Sequence, residues 1–191
     1  DAGVGNEIVM GEDGLATGEL RESNAIRPVA SMGVTGGREG LGVGTGGDPE
    51  HVTPEERAAD IEVLKKGLAY CASLGITSFQ NMDGNLYQLE MLDEIEKTEG
   101  LPVRVRMPYH MKNFMPLSDL EEKAAVWKTR FDTDKLRCNF VKLFMDGVTE
   151  GETAVFVDDY AHKPGWKGEP LFSADAFNAV ATEANRVGLP V

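Results

Sequence analysis

The chain has 191 residues, of which 41% are hydrophobic and 27% charged, a composition typical of a soluble globular protein with an apolar core. Its 32 acidic and 19 basic residues give a formal net charge of -13, which argues against nucleic acid as a partner. No apolar run reaches the roughly 20 residues that span a bilayer, so no membrane partner is expected. The N-terminus lacks the features of a signal peptide, and the predicted location is cytoplasmic.

The first 52 residues predict a hairpin followed by a glycine-rich loop. Residues 7–22 contain two short extended runs around a Glu-Asp-Gly turn, which indicates a hairpin. A short helix is predicted over residues 23–32. In residues 33–47 eight of fifteen positions are glycine, a density that favours a mobile loop. A phosphate-binding loop is the weaker alternative, because residues 48–51 separate the glycines from the next helix.

From Thr53 onwards helical and strand-like segments alternate. Thr53 is followed by Pro-Glu-Glu, an N-cap with proline at the first helical position and acids in the first turn. Short connections between alternating segments predict a parallel sheet covered by helices. Apolar spacing predicts helices over residues 53–74, 86–97, 118–130 and 173–186, strands over 76–82, 101–107 and 140–145, and the start of another strand at 189–191.

The predicted sheet is too small to stand alone. Three strands and a fourth just begun cannot close a barrel, and they would leave long unpaired edges. We therefore expect an α/β fold that forms part of a larger barrel, and a chain that is a fragment of a longer protein.

Lys142 is the residue that we most expect to carry chemistry. Reactive side chains of parallel α/β folds gather at the carboxyl ends of the strands, and Lys142 interrupts an otherwise apolar strand. Alternation along the strand places Lys142, Phe144 and Asp146 on one side. Lys142 would form an ion pair with Asp146, act as a Schiff-base nucleophile, or become carboxylated and bridge two metal ions. Spacing alone leaves these three readings open.

The three histidines do not complete a metal site. Only His110 falls near a strand end, and the alternative to a functional role there is an ordinary hydrogen-bonded or exposed histidine. The sequence has no H-x-H or H-x-x-x-H pair, so a full ligand set cannot be built from this chain.

Several motifs, in order along most of the chain, resemble the branch of the amidohydrolase superfamily that includes N-substituted formamide deformylase. The glycine-rich segment departs from that pattern. The motifs are Gly-Glu-Leu-Arg-Glu at 18–22, Gly-Ile-Thr-Ser-Phe-Gln at 75–80, Phe-Val-Lys-Leu-Phe-Met-Asp-Gly at 140–147, Glu-Thr-Ala at 152–154, and a tail with Tyr160, Pro164, Gly165, Gly168 and Gly-Leu-Pro-Val at 188–191.

The resemblance implies a fold and a division of the chain. The fold would be a (β/α)8 TIM-type barrel, of which this chain supplies about strands two to five. Residues 1–52, the hairpin and glycine-rich loop, would be an insertion in the first βα connection, where they would cover the mouth of the site. Residues 53–191 would be the partial barrel.

The resemblance also implies a function. Such enzymes are metal-dependent hydrolases that cleave an amide-like carbon–nitrogen bond by a metal-activated hydroxide. The fourth-strand ligand maps onto Lys142 as a carboxylated lysine, and the cofactor would be one or two divalent ions, with zinc expected. Most catalytic residues would lie outside this chain, the first-strand histidines before Asp1 and the fifth-strand histidine after Val191, so the fragment itself would be inactive.

Four further residues would line the substrate pocket because they lie at strand ends. The expected partner is a small-molecule substrate, and homodimerisation stays open. A Schiff-base lyase that uses Lys142 and a catalytically silent barrel fragment are the alternative functions. The four pocket residues are Gln80, Asp83, Tyr109 and His110.

Overall fold

The structure is a computed structural model that describes residues 6–191, apart from the side chain of Ser23. Residues 1–5 of the predicted N-terminal insertion lie outside the described residues. The helices are α1 (Glu22–Ala30), α2 (Leu41–Gly44), α3 (Pro54–Ser73), α4 (Leu86–Thr98), α5 (Ala125–Arg130) and α6 (Ala174–Arg186). The strands are β1 (Glu7–Met10), β2 (Ala16–Arg21), β3 (Ser78–Gln80), β4 (Arg104–Arg106), β5 (Tyr109–His110), β6 (Leu136–Arg137) and β7 (Val141–Lys142).

The N-terminal hairpin forms as the sequence predicts. Strands β1 and β2 pair antiparallel, and Glu7 lies opposite Arg21. The side chains of this pair form an ion pair at 3.0 Å between Arg21 Nη1 and Glu7 Oε2. Helix α1 follows directly and covers most of the helix predicted over residues 23–32.

The prediction of a loop across the whole glycine-rich segment is wrong for residues 38–44. Arg38–Gly40 forms a 3-10 turn, and α2 continues from it. The Arg38 guanidinium donates two hydrogen bonds, of 2.7 and 2.8 Å, to the carboxylate of Asp60, and the Tyr87 hydroxyl donates a third of 2.7 Å. Asp60 is only 5% exposed, so the segment is tied to α3 and α4 by a buried ionic contact. These tertiary contacts offset the conformational entropy that its glycines lose.

Helix α3 begins where its capping signal predicts. Thr53 Oγ1 accepts a hydrogen bond from the backbone N–H of Glu56, and the Glu56 carboxylate accepts one from the backbone N–H of Thr53. This capping box satisfies two amides that the helix leaves free at its start. Asn85 and Ser173 cap α4 and α6 by a single bond each, because their side-chain oxygens accept from the backbone N–H groups of Gln88 and Ala176.

The parallel strands lie in two short sheets. Strands β3, β4 and β6 form one sheet in that order, and β5 pairs with β7 in the other. The pairing shifts by one residue between Val105, opposite Leu136, and Tyr109, opposite Val141. This irregularity separates the two sheets. Strands β4 and β7 are shorter than the strands predicted over residues 101–107 and 140–145, and β5 and β6 lie outside those predicted ranges. Among residues 6–191 the strands form no closed barrel, and the observed fold is a mixed α/β one.

The helices pack against one face of the strands. Alternate residues of the run from Leu101 to Met107 are buried there, and in β5 both Tyr109 and His110 are buried. The exposed fraction of Val105, Met107 and Tyr109 is 4% or less. The Val141 amide donates to the Pro190 carbonyl at 2.8 Å, so the segment predicted to begin a further strand lies beside β7. No described helix is both long and apolar enough to cross a membrane.

Candidate active site at the carboxyl ends of the strands

Lys142 lies at the end of β7, opposite His110 of β5. Its neighbours Val141 and Leu143 are buried in the core, whereas the Lys142 ammonium nitrogen lies over the ring of Phe144, 4.9 Å from its centroid. The predicted alternation is therefore confirmed for residues 141–144. The Lys142 side chain therefore points away from the side of β7 that buries Val141 and Leu143.

The ion pair between Lys142 and Asp146 does not form. The Asp146 carboxylate instead accepts a hydrogen bond of 2.9 Å from the backbone N–H of Val155. Within the part of the chain that the structure describes, no carboxylate lies at ion-pair distance from Lys142. The purely structural explanation for this lysine is thus not supported by its surroundings.

Lys112 is a second lysine of the site, which the sequence reasoning missed. It lies two residues after His110, so alternation continued beyond the predicted strand would have found it. Its side chain is 8% exposed, and its ammonium donates to the Val43 carbonyl and lies 4.6 Å from the Phe144 centroid. Burial lowers the pKa of Lys112 to about 8; nearby Asp83 opposes this shift and Lys142 adds to it.

His110 is the most buried polar side chain near Lys142, with 2% of its surface exposed. Its ring meets the Phe144 ring edge to face at 4.6 Å, and neither ring nitrogen makes a hydrogen bond with any described residue. Burial lowers the pKa of His110 to about 4, and the positive charges of Lys112 and Lys142 contribute to the shift. The nearby backbone of Gly42 lies outside hydrogen-bond geometry and offsets the shift only in part. The imidazole is therefore neutral at pH 7 and keeps a free lone pair.

Two other predicted residues lie near the lysines. Asp83 follows β3, and its Oδ1 is buried without a hydrogen-bond partner among residues 6–191. Its charge acts on Lys112. Gln80 lines a cavity of about 590 Å³ together with Lys142. The structure therefore brings Gln80, Asp83 and His110 to the region of Lys142.

Tyr109 faces the other way. Its hydroxyl donates a hydrogen bond of 3.1 Å to the Asp119 carboxylate, and its ring meets the Trp127 ring edge to face at 4.9 Å. Burial, together with the charge of Asp119, raises the pKa of Tyr109. The structure thus does not bring Tyr109 together with the other predicted pocket residues.

The glycine-rich segment lies directly on the strand ends. A Cβ atom added to Gly42 would come within 1.9 Å of the Asp83 carbonyl oxygen, and one added to Gly46 within 3.0 Å of the His110 carbonyl oxygen. Val43 lines a cavity of about 660 Å³ with both lysines and Phe144. Glycine is required at position 42 because the two backbones are in contact there.

The described residues can supply part of a metal site. A carboxylated Lys142 would offer anionic oxygens, and His110 has unbonded ring nitrogens on the same side of the strands. No group of three or more histidine, cysteine, aspartate or glutamate side chains among residues 6–191 is arranged to hold an ion. These donors fit a metal only as part of a larger ligand set.

Comparisons with known proteins bear on the fold and the family of the chain. The crystal structure of an uncharacterized metal-dependent hydrolase from Pyrococcus horikoshii OT3 matches 72% of this chain with a TM-score of 0.59 and 22% sequence identity, and the match covers 27% of that protein. That likeness shows the fold. A search of curated proteins gave no match. The model of an amidohydrolase family matches residues 1–191, so the chain belongs to the amidohydrolase family.

Proposed function

We propose that the chain is part of the catalytic domain of a metal-dependent hydrolase of the amidohydrolase superfamily, one that cleaves an amide-like carbon–nitrogen bond in a small-molecule substrate. The observation that carries the proposal is Lys142, an amine at a strand end that lines a cavity and has no carboxylate partner among the described residues. Membership of the family supports the reaction class. The motifs that resemble N-substituted formamide deformylase support a narrower proposal, in which the substrate is a formamide or a related amide.

In this proposal Lys142 is carboxylated and holds one or two divalent ions, with zinc as the first candidate. The bound metal would supply Lewis-acid activation of the substrate carbonyl and of a water molecule. The remaining ligands would come from residues beyond those described. A bridging carboxylated lysine needs a position where its amine is not held by an acid, and Lys142 has such a position.

The surrounding residues would bind and orient the substrate. His110, neutral at pH 7, would hold a proton on one ring nitrogen and accept a hydrogen bond on the other. Phe144 would form an apolar wall of the site, against which both lysine ammonium groups lie. Gln80 and Asp83 would contact polar groups of the substrate at the rim.

Metal content and the state of Lys142 test this proposal. In full-length protein we expect one or two divalent ions per subunit and a mass increase of one carboxyl group on Lys142. Lys142→Met should lose the metal and lower kcat/KM for a good amide substrate by about 100-fold or more, since loss of outer-shell partners alone costs 10- to 100-fold. Lys97→Met, which removes an exposed lysine at the far end of α4, is the control.

A Schiff-base lyase is the competing function. The neighbouring positive charge of Lys112 favours it, because a cationic neighbour is one way in which an enzyme prepares a neutral nucleophilic lysine. Borohydride reduction in the presence of a carbonyl substrate would then add the substrate's mass to Lys142. Such an adduct, on a Lys142 that is otherwise unmodified and metal-free, would overturn the hydrolase proposal.

A further inference from the structure

We propose that Lys112 is a positioning residue that stabilises the carboxylated form of Lys142 by placing a fixed positive charge beside the new carboxylate. The inference rests on the proposed function, because carboxylation of Lys142 is part of it.

The geometry places the two lysines around one ring. The ammonium nitrogen of Lys112 lies 4.6 Å from the Phe144 centroid, and that of Lys142 lies 4.9 Å from the same centroid. Both side chains line the cavity of about 660 Å³. His110 pairs with Lys142 between β5 and β7, and the Met111 amide donates to the Lys142 carbonyl at 2.9 Å, so the chain that leads into Lys112 lies beside Lys142.

The charges of the unmodified site oppose one another. Lys112 is 8% exposed, and no described carboxylate forms an ion pair with it or with Lys142. Each lysine therefore raises the electrostatic energy of the other in a partly desolvated site. Carboxylation changes the charge of Lys142 from +1 to -1, so the repulsion becomes an attraction.

The ammonium of Lys112 is held in place before the modification. It donates a hydrogen bond to the Val43 carbonyl, which belongs to the segment lying on the strand ends. A charge that is already fixed needs little reorganisation to stabilise a carboxylate that forms nearby. The contact with Val43 also explains how a lysine at this depth keeps a polar partner.

The modification itself uses only carbon dioxide. The neutral amine of Lys142 attacks the carbon of CO2, and a nitrogen–carbon bond forms. One carbon–oxygen π pair moves onto oxygen to give the carboxylate, and the proton lost from nitrogen passes to water. No oxidant or reductant takes part, and Lys112 acts through its charge without changing its own bonds.

Carbon-13 NMR of full-length, zinc-loaded protein in ¹³C-bicarbonate tests the inference. The variant Lys112→Gln removes the charge but keeps an N–H donor for the Val43 carbonyl, so the glycine-rich segment stays anchored. We expect the bicarbonate concentration that half-saturates the carbamate signal to rise about five- to tenfold in this variant. Lys112→Met should give the same shift, and Lys112→Arg should restore most of the wild-type value. Urea unfolding of each variant identifies any that fail to fold.

The outcomes separate the two proposals. A wild-type protein with no carbamate signal would overturn the proposed function and with it this inference. A wild-type signal that Lys112→Gln and Lys112→Met leave at the same half-saturation, in folded protein, would overturn the inference alone. Lys97→Met, which removes a distant exposed charge, should leave the half-saturation unchanged.

Discussion

His110 shows at the scale of one residue how burial controls charge. Folding lowers the pKa of His110 from 6.5 to about 4. Between these two pH values the histidine is therefore neutral in the folded protein but protonated in the unfolded chain. The unfolded state therefore binds more protons between these values, and the stability present above pH 6.5 is lost as the pH falls towards 4.

We expect the free energy of unfolding to fall by about 3 kcal/mol, through His110 alone, as the pH is lowered from 6.5 to 4. Urea titrations of the metal-free protein at several pH values measure it. His110→Phe should flatten the pH dependence of the free energy of unfolding, whereas His51→Gln, at an exposed position, should leave that dependence unchanged. Equal slopes in wild type and His110→Phe would contradict the assignment.

Sequence singles out Lys142 but not Lys112, for a physical reason. Lys142 stands out because a charged side chain interrupts an apolar strand, and this contrast is visible in a few adjacent letters. Lys112 lies beyond the end of its predicted strand, and its burial comes from the Val43 carbonyl and the Phe144 ring, 69 and 32 positions away along the chain. Contacts of this range are absent from any local pattern.

Helix α2 is the element whose position depends on a single close approach. Gly42 meets the Asp83 backbone, with no room for a Cβ atom, whereas Gly44 of the same short helix has nothing within 4 Å of that position. The two glycines form a matched pair, because they share a helix and differ in what faces them.

We expect Gly42→Ala to lower the free energy of unfolding by about 1–3 kcal/mol, because the added methyl group must push α2 away from the strand end. Gly44→Ala should be neutral or stabilise by up to about 1 kcal/mol, since alanine favours helix at an exposed position. Urea unfolding of both variants makes the comparison. Equal changes in the two would show that α2 does not rest on residue 83.

Over the whole molecule, the proposed metal site, built from several strand ends, would couple metal binding to stability. Lys142 is one ligand in the proposed function, and the others would lie on other strands, so a bound ion would join parts of the sheet that are distant in sequence. Anything that binds the folded state alone stabilises it by mass action.

We therefore expect chelation of divalent ions to lower the Tm of full-length protein by several degrees. Lys142→Met should have, without any chelator, the lower Tm of the metal-free wild type, and the chelator should not lower its Tm further. Differential scanning calorimetry measures both. An unchanged Tm in wild type after verified metal removal would contradict a strand-bridging metal.

The sequence by itself determined the elements whose signals are local. The capping box at Thr53, the apolar period of α4 and the alternation around Lys142 each depend on a few neighbouring residues, and the structure agrees with all three. Only the tertiary structure decided the one-residue shift in strand pairing between the two sheets, the folding of residues 38–44 onto the strand ends, and the grouping of both lysines around Phe144. These features arise from side chains and carbonyls that meet across dozens of residues, and their energies exceed the local preferences that a sequence pattern records.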